Sequence, residues 1–177
     1  MNYTKKELIS SDKIQEAVKA LGAEIASDYA GSDVVLVCIL KGSVFFFSDL
    51  AHALESLDPE LDFMKVSSYH GAKSQSMDIE IALDLHTEIE GKHVILVEDI
   101  IDSGNTLGKV IALLQKRNPK SIAVAALTYK QHADDLHVKT YKCFQVDQFV
   151  IGYGMDYMER FRTLPFIAEL CEEKEPQ

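Results

Sequence analysis

Three carboxylates stand close together in the segment from Val94 to Leu107, which reads VILVEDIIDSGNTL. Glu98 and Asp99 follow an apolar, strand-like run, and Asp102 comes after two further apolar residues. Carboxylates at the end of a strand are suited to binding a hard cation or the hydroxyls of a sugar. The segment therefore offers oxygen ligands both for a divalent metal and for a sugar.

Small and polar residues follow these acids, at the point where helical periodicity begins. They are Ser103, Gly104, Asn105 and Thr106, and the predicted helix starts at Leu107. A turn of small residues that opens a helix leaves backbone N–H groups unpaired, and such groups bind phosphate. A plain solvated loop is the alternative, but strand, acid pair, spaced acid, small turn and helix occur here in order. The pattern predicts a site for a phosphorylated sugar that carries a divalent metal.

The same segment resembles the phosphoribosyl-diphosphate (PRPP) binding motif of the type I phosphoribosyltransferases. Its form, EDIIDSGNTL, is similar to the hypoxanthine–guanine branch of that family. The resemblance implies that Glu98 and Asp99 bind the ribose hydroxyls and the metal-bound diphosphate. It places Asp102 near nitrogen 7 of a purine, where the carboxylate would act as general base or mainly orient the base. The 5-phosphate would lie against the small turn of Ser103, Gly104, Asn105 and Thr106.

A second segment, Leu40–Ser43, resembles the diphosphate loop of the family. It follows an apolar strand, and in the family the peptide between the leucine and the lysine is often cis. Glycine allows the backbone to approach an anion closely, and a serine hydroxyl can donate a hydrogen bond. The resemblance therefore assigns diphosphate binding to Lys41, Gly42 and Ser43. A strand-to-helix turn with a solvated lysine is the alternative.

A third segment begins at Ser68 and Tyr69 and continues through residues 70–78, which are rich in small and polar side chains. It resembles the flexible catalytic lid of the family. The anomeric carbon of PRPP passes through a transition state with oxocarbenium character, so a lid would protect it from water. The resemblance implies catalytic roles for Ser68 and Tyr69, whereas a disordered hairpin tip with a packing tyrosine is the alternative.

Lys130 follows an apolar strand and lies 28 residues after Asp102, as the purine-reading lysine of the family does. An ammonium group has only donors, so it matches a 6-oxo group and mismatches an exocyclic amino group. This residue would therefore select 6-oxopurines over adenine. Taken alone, a lysine after a strand is usually a solvated charge, and the resemblance is what favours function.

Residues 149–157, FVIGYGMDY, resemble the second purine and metal segment of the family. The resemblance implies that Phe149 stacks on the base and that Val150 offers backbone groups to its edge. Asp156 would help to hold a second Mg²⁺ through water, and Arg162 would meet the leaving diphosphate. Together, the metal ligands that the resemblance implies are Glu98, Asp99 and Asp156.

One stretch departs from the pattern of the family. Relatives usually carry Gly-Phe-x-Ile-Pro just before the position of Asp147, whereas Lys142–Val146 reads KCFQV here. Gln148 also takes a position that is often charged. These changes leave the site residues intact, but they keep open which base is preferred.

Apolar strands alternate with helical patterns along most of the chain. Val34–Leu40, His93–Val97 and Ser121–Thr128 are almost entirely apolar, which predicts buried strands. Apolar residues at helical spacing predict helices around them, the first with Asp12 as its cap and another from Leu107 onwards. Such an alternation indicates a parallel sheet covered on both faces, which binds ligands beyond the carboxyl ends of its strands.

We therefore predict an α/β protein with a twisted, mainly parallel sheet flanked by helices, as in the type I phosphoribosyltransferase fold. Residues 1–177 are expected to form a single domain. A small purine-side hood would be built from the N-terminal residues and from about 135–177. The relatives are dimers or tetramers, so we expect a homodimer or a homotetramer, and the sequence does not choose between them.

Composition limits the partners and the compartment. The formal net charge is −10, from 18 Lys and Arg against 28 Asp and Glu, which argues against broad binding to nucleic acid or membrane surfaces. Cys38, Cys143 and Cys171 show neither a disulfide framework nor metal-type spacing. The first ten residues lack an apolar signal core, and no run reaches transmembrane length. We expect a soluble, cytoplasmic protein.

The resemblance implies an enzyme that transfers phosphoribose from PRPP to nitrogen 9 of a 6-oxopurine. With Mg²⁺ it would form IMP from hypoxanthine or GMP from guanine, together with diphosphate, in purine salvage. A xanthine- or guanine-preferring enzyme is one alternative. A PRPP-sensing, RNA-binding regulator with the same fold is another, but the net charge of −10 and the lack of a Lys/Arg cluster disfavour it.

Overall fold

The computed structural model describes residues 3–68, 79–133 and 135–172. Within these ranges the helices are α1 (Ser11–Asp28), α2 (Val44–Ala53) and α3 (Asn105–Gln115), with a short 3₁₀ turn at Glu55–Leu57. The strands are β1 (Tyr3–Ile9), β2 (Val34–Ile39), β3 (Glu60–Ser68), β4 (Ile79–Leu83), β5 (His93–Ile101), β6 (Ser121–Tyr129), β7 (Lys139–Gln145), β8 (Val150–Ile151) and β9 (Ile167–Glu172). No helix in the described part of the chain is long and apolar enough to cross a membrane.

A six-stranded sheet in the order β4-β3-β2-β5-β6-β7 forms the centre of the molecule. Neighbouring strands are parallel throughout except for β4, which runs antiparallel to β3. Alternate residues of each strand point to opposite faces. Leu36 and Cys38 of β2 pack with α1 and α2, whereas Val35 and Val37 pack with α3. Burial of both faces explains why the strands are uninterrupted apolar runs, and the predicted mainly parallel, helix-flanked sheet is confirmed.

A second sheet of three antiparallel strands, in the order β1-β9-β8, joins the two ends of the described chain. We call this sheet and the loop between β8 and β9 the hood. The sequence pattern did not predict β1, β7 or β9. In β1 only Ile9 is fully buried, and Lys5, Lys6 and Glu7 are exposed, so the strand carries no apolar signal. The grouping of the whole chain into one domain stays a prediction.

Strand β7 lies within the range 135–177 that was expected to form the hood. It nevertheless pairs in parallel with β6, from Ala123↔Lys139 to Tyr129↔Gln145, and so forms an edge of the six-stranded sheet. Only Tyr141 of β7 is fully buried. An edge strand contacts the core through only some of the side chains on one of its faces. A strand with so few buried side chains has no clear apolar pattern in the sequence.

The first helix begins differently from the prediction. Ser10, not Asp12, is the N-cap of α1, and its hydroxyl accepts a hydrogen bond from the Lys13 N–H at 3.4 Å. Asp12 instead lies in the first turn, where an acidic side chain interacts favourably with the helix dipole. Both residues are common at helix starts, so the sequence alone does not separate them.

The predicted bounds of β5 and α3 were also too narrow. Strand β5 continues to Ile101 because its pairing with β6 extends through Ile100↔Thr128, so Glu98 and Asp99 belong to the strand. Helix α3 begins at Asn105 instead of Leu107. Gly104, with φ of 83°, forms the sharp turn between them, a conformation that glycine adopts without steric cost. The small turn is therefore tighter than the sequence suggested.

Candidate active site

Three of the segments predicted to carry chemistry meet at one edge of the six-stranded sheet. Because β2, β5 and β6 are parallel neighbours, their carboxyl ends lie side by side. Lys41 follows β2, Asp102 follows β5 and Lys130 follows β6. The N–H of Lys130 donates to the carbonyl of Ile101 at 2.9 Å, which ties the last two segments together. The structure thus brings these predicted residues to a common edge.

A first cavity of about 300 Å³ opens over the N-terminus of α3, and we call it the turn cavity. Its polar lining comes from Glu98, Asp102, Ser103, Gly104 and Thr106. The Ser103 hydroxyl accepts a hydrogen bond from the N–H of the exposed residue Asn105 at 3.3 Å. A helix N-terminus presents N–H groups and a positive dipole end, which together bind phosphate.

Glu98 projects into the turn cavity and is unusually enclosed. Its Oε2 atom is buried and has no hydrogen-bond partner among the described residues. Burial, and then the charge of Asp99, raise the pKa of Glu98 well above its usual range. The enclosed Oε2 atom is thus available to a ligand that enters the turn cavity, such as a ribose hydroxyl. The place of Glu98 among the metal ligands stays a prediction.

Asp99 lies directly beneath the diphosphate loop. A Cβ atom added at Gly42 would be 1.7 Å from the Asp99 Oδ2, and one added at Gly154 would be 1.7 Å from the carbonyl oxygen of Gly42. Both glycines are therefore needed for β5, the loop and the hood to approach one another. Burial raises the pKa of Asp99 to about 6, while the Ile100 N–H and the charge of Arg162 act in the opposite direction.

A second cavity of about 210 Å³ lies between the sheet edge and the hood, and we call it the Lys130 cavity. Asp102 lines this cavity as well as the turn cavity, so its carboxylate borders both. The side chain of Asp102 is 71% exposed, and its Oδ1 is 3.8 Å from the Nε2 of His132. The full lining is Asp99, Ile100, Asp102, Lys130, Gln148, Phe149, Val150, Met155 and Asp156.

The ammonium group of Lys130 is anchored to the wall of its cavity. Its Nζ donates to the carbonyl of Asp147 at 3.0 Å and to that of Gln148 at 2.5 Å. An ammonium group has three donors, so one more can be directed to a ligand. Phe149 is 57% exposed at the same cavity, and its ring makes an edge contact with Tyr157, with 6.0 Å between the ring centroids. A planar base between these groups would meet a donor at its edge and a ring at its face.

The cations predicted to bind diphosphate are paired with acids of the hood. Lys41 Nζ lies 2.8 Å from Glu159 Oε2, and Arg162 Nη2 lies 3.2 Å from Glu159 Oε1 and 2.9 Å from Asp156 Oδ1. Arg162 also donates to the carbonyl of Gly154 at 2.8 Å. Sequence reasoning missed Glu159 entirely. Its partner Lys41 is 118 residues away, so no local signal was present.

The diphosphate loop agrees with the prediction in one respect and differs in another. The Leu40–Lys41 peptide is cis, as the resemblance implied. The Ser43 side chain, however, is fully buried. Its hydroxyl donates to the carbonyl of Ile39 and lies 3.3 Å from the Cys38 Sγ, so it does not face a ligand. The short connection between β2 and α2 turns this side chain inwards, and only the backbone of Ser43 remains as a candidate anion ligand.

The predicted lid is described only at its start. Ser68 is the last residue of β3, and its backbone pairs with Ile79 of β4. Tyr69 and residues 70–78 lie outside the described residues. The roles predicted for Ser68 and Tyr69 therefore stay predictions.

The carboxylates at the sheet edge suit a magnesium ion that arrives with its ligand. No group of three His, Cys, Asp or Glu residues in the described ranges is arranged to hold a metal. Asp99 and Asp156 nevertheless line the same cavity. Mg²⁺ commonly binds through one or two carboxylates together with substrate phosphates and waters. This donor set fits Mg²⁺ carried by a diphosphate.

A helix N-terminus at the carboxyl edge of a mainly parallel sheet, beside two carboxylates and a lysine, is the kind of site at which α/β proteins bind a sugar phosphate. Comparison with known proteins identifies the family. The model of the phosphoribosyl transferase domain matches residues 6–158. The chain therefore belongs to the phosphoribosyltransferase family.

Individual relatives are similar over nearly their whole length. The chain is 44% identical to a hypoxanthine-guanine phosphoribosyltransferase of Streptococcus pneumoniae, over 97% of this chain and 96% of the relative. It is 41% identical to a hypoxanthine phosphoribosyltransferase of Escherichia coli, over 96% and 97%. A crystal structure of a hypoxanthine-guanine phosphoribosyltransferase from Bacillus anthracis matches with a TM-score of 0.87 and 36% identity, covering 97% of this chain and all of that one.

Proposed function

We propose that this chain is an enzyme that transfers the phosphoribosyl group of PRPP to nitrogen 9 of a 6-oxopurine. The products are IMP or GMP and diphosphate, as required for purine salvage. The observation that carries the proposal is the position of Asp102, whose carboxylate borders both the turn cavity and the Lys130 cavity. One acid thus stands between a phosphate-binding turn and a pocket that suits a planar base.

The purine is held in the Lys130 cavity by three kinds of contact. Phe149 stacks on its face, the remaining Lys130 donor binds the 6-oxo group, and the backbone of Val150 meets its edge. Asp102 receives the purine proton near nitrogen 7 as nitrogen 9 attacks the anomeric carbon. The bond from that carbon to the diphosphate oxygen breaks at the same time, and diphosphate leaves with the electron pair.

The phosphoribosyl group is held on the other side of Asp102. The N–H groups at the start of α3 bind the 5-phosphate, together with Ser103, Gly104, Asn105 and Thr106. Glu98 binds a ribose hydroxyl in the enclosed part of the turn cavity. Arg162 and the loop of Lys41, Gly42 and Ser43 bind the diphosphate, with Ser43 acting through its backbone. These contacts fix the anomeric carbon beside the purine, which supplies proximity and orientation.

Mg²⁺ is the cofactor that we propose, held by Asp99 and Asp156 together with the diphosphate. When bound, it neutralises negative charge on the leaving group. Asp99 supports this role because it lines the same cavity as Asp156, at the edge of the sheet that faces the diphosphate loop. Ser68 and Tyr69, at the start of the proposed lid, would exclude water from the anomeric carbon during transfer.

The preferred base is the finer part of the proposal. We propose that hypoxanthine and guanine are the substrates, because the relatives from S. pneumoniae and E. coli carry these bases in their names. A xanthine- or guanine-preferring enzyme is the alternative within the class. A cytoplasmic location and a homodimer or homotetramer are further expectations, and light scattering of the purified chain measures the second.

A spectrophotometric assay with PRPP and Mg²⁺ tests the proposal, run separately with hypoxanthine, guanine, xanthine and adenine. We expect transfer to hypoxanthine and guanine and none to adenine, because an amino group would face the Lys130 donor. Transfer to xanthine alone, or to guanine alone, would establish the alternative base preference. Folded protein that shows no transfer to any of the four bases, or that prefers adenine, would overturn the proposed function.

A further inference from the structure

A single carboxylate forms ion pairs with both of the cations that the proposed function assigns to diphosphate binding. Glu159 contacts the Lys41 ammonium at 2.8 Å through Oε2 and the Arg162 guanidinium at 3.2 Å through Oε1. Its two oxygens are therefore placed as two oxygens of a bridging anion would be.

The backbone of the hood directs Glu159 towards the diphosphate loop. Met158, Glu159 and Phe161 all have positive φ values, of 51°, 61° and 74°. Residues with side chains rarely adopt this conformation, so the turn must be held by other contacts. It is closed by reciprocal backbone hydrogen bonds between Tyr157 and Arg160, at 3.1 and 3.0 Å, and by the Glu159 N–H, which donates to Asp156 Oδ2 at 2.8 Å. The position of the carboxylate is thus built into the loop.

Another anion can replace Glu159 in these ion pairs at a small cost in free energy. Its side chain is 66% exposed and that of Lys41 is 53% exposed, and exposed ion pairs contribute little to stability. Arg162 is more buried, at 22% exposed, and retains Asp156 and the carbonyl of Gly154 as partners. A diphosphate could therefore displace Glu159 without releasing Arg162 from the hood.

We propose that Glu159 is an internal competitor of diphosphate, which holds Lys41 and Arg162 in the enzyme without PRPP and is displaced when PRPP binds. The inference rests on the proposed function and goes beyond it by assigning a regulatory role to a residue outside the motifs. Glu159 lowers the affinity of the site for diphosphate, because its carboxylate must leave both cations before the diphosphate can bind them. Return of the carboxylate after transfer speeds release of the product diphosphate.

Isothermal titration calorimetry of magnesium diphosphate binding, without a purine, tests directly whether Glu159 competes with diphosphate. Glu159→Gln keeps the shape and removes the charge, and we expect it to tighten diphosphate binding by about threefold to tenfold, the range expected for one or two exposed ion pairs. Glu16→Gln is the matched control, because it changes the net charge equally on an exposed position of α1. The control should stay within about twofold of the unsubstituted protein, as screened distant charges contribute little.

The partner of Glu159 supplies a second measurement. In a Lys41→Gln background, the gain from Glu159→Gln should fall, because one of the two competed cations is gone. Glu159→Ala should tighten binding in the same direction as Glu159→Gln, and it serves if the glutamine variant folds poorly. Binding by both Glu159 variants that is weaker than, or equal to, that of the Glu16→Gln control would overturn the inference.

Failure of this inference can be distinguished from failure of the proposed function. If the unsubstituted chain transfers phosphoribose but Glu159→Gln binds diphosphate like the control, only the competitor role is overturned. If the unsubstituted chain transfers to no base, the proposed function is overturned, whatever the diphosphate titration shows. A merely structural role for Glu159 predicts weaker diphosphate binding in its variants, which is the opposite sign.

Discussion

The two cavities at the sheet edge are built in different ways. Apart from a few apolar contacts, the turn cavity takes its lining from one continuous stretch, Glu98 to Val110. The Lys130 cavity combines the end of β5 with Lys130, with residues 148–150 and with residues 155–156. A phosphate site can be made by one strand, one turn and one helix because backbone N–H groups supply the ligands. A site that distinguishes bases needs side chains from distant segments.

The carboxylates that line the two cavities also differ, in how far each is exposed to solvent. Glu98, on the turn side, is enclosed, and burial raises its pKa well above the usual range. Asp102, which borders both cavities, is 71% exposed and accessible to a ligand. Burial therefore distinguishes two acids that are four residues apart, because one is enclosed and the other is open to a ligand. Position in the motif does not fix the exposure of an acid.

The largest effect is expected at the residue shared by the two cavities. Asp102→Asn should lower the turnover number by about 10²- to 10⁴-fold, the usual contribution of a general base. Affinity for PRPP should change little, because the asparagine keeps the shape and the turn cavity is unaltered. Steady-state kinetics with saturating hypoxanthine, together with a PRPP titration, measures both. A variant with nearly normal turnover would show that Asp102 mainly orients the base.

A smaller effect, confined to the Lys130 cavity, is expected for Lys130→Ala. Loss of a charge-assisted hydrogen bond should lower kcat/KM for hypoxanthine by about 10- to 100-fold. The KM for PRPP should stay within about twofold, because the phosphate ligands lie elsewhere. Lys19→Ala, on an exposed position of α1, is the control. Equal losses for hypoxanthine and PRPP would mean that the two cavities are not functionally separate.

Close packing between the diphosphate loop and β5 predicts a loss of stability for Gly42→Ala. The new Cβ would meet the Asp99 Oδ2 at 1.7 Å, so the buried Asp99 carboxylate, the loop or the strand must move. We expect the free energy of unfolding to fall by about 1–3 kcal/mol, the usual cost of overpacking. Gly108→Ala is the matched control, because no atom lies within 4 Å of its Cβ in α3, and alanine should stabilise a helix by up to about 1 kcal/mol. Urea unfolding measures both, and a similar result for the two variants would contradict the packing argument.

The smallest expected effect concerns the buried acid of the turn cavity. Because the pKa of Glu98 is raised by folding, the folded state holds a proton that the unfolded chain has lost. The contribution of Glu98 to stability therefore falls as the pH rises above the usual glutamate pKa. Glu98→Gln removes this dependence and should raise the free energy of unfolding at pH 8, because the charged form of the buried carboxyl is the form that destabilises the folded state.

The same variant should gain less at pH 4, where Glu98 is mostly protonated in the folded and unfolded states alike. Urea unfolding at both pH values measures the difference, with Glu16→Gln as a control for an exposed acid. A gain that is equal at the two pH values would show that Glu98 is not a buried titrating group. Activity provides an independent readout, because the glutamine should weaken contact with the ribose and lower kcat/KM for PRPP.

The sequence by itself determined the buried strands of the central sheet and the residues that line the turn cavity. Uninterrupted apolar runs identify β2, β5 and β6 in the sequence. Helices cover both faces of a parallel sheet, so the side chains on both faces of these strands are apolar. The acid pair, the spaced acid and the small turn are contiguous, so their spacing survives folding almost unchanged. The cis peptide at Leu40–Lys41 was also implied by a local motif.

Only the tertiary structure decided what surrounds these motifs. The strands β1 and β9 of the hood have too few buried residues to show a pattern, and they are defined by pairing across the length of the chain. The inward turn of Ser43, the enclosure of Glu98 and the ion pair of Lys41 with Glu159 depend on neighbours that are distant in sequence or on close packing. Residue types and local spacing determine which groups are present, whereas burial and long-range contacts decide their charge, direction and partners.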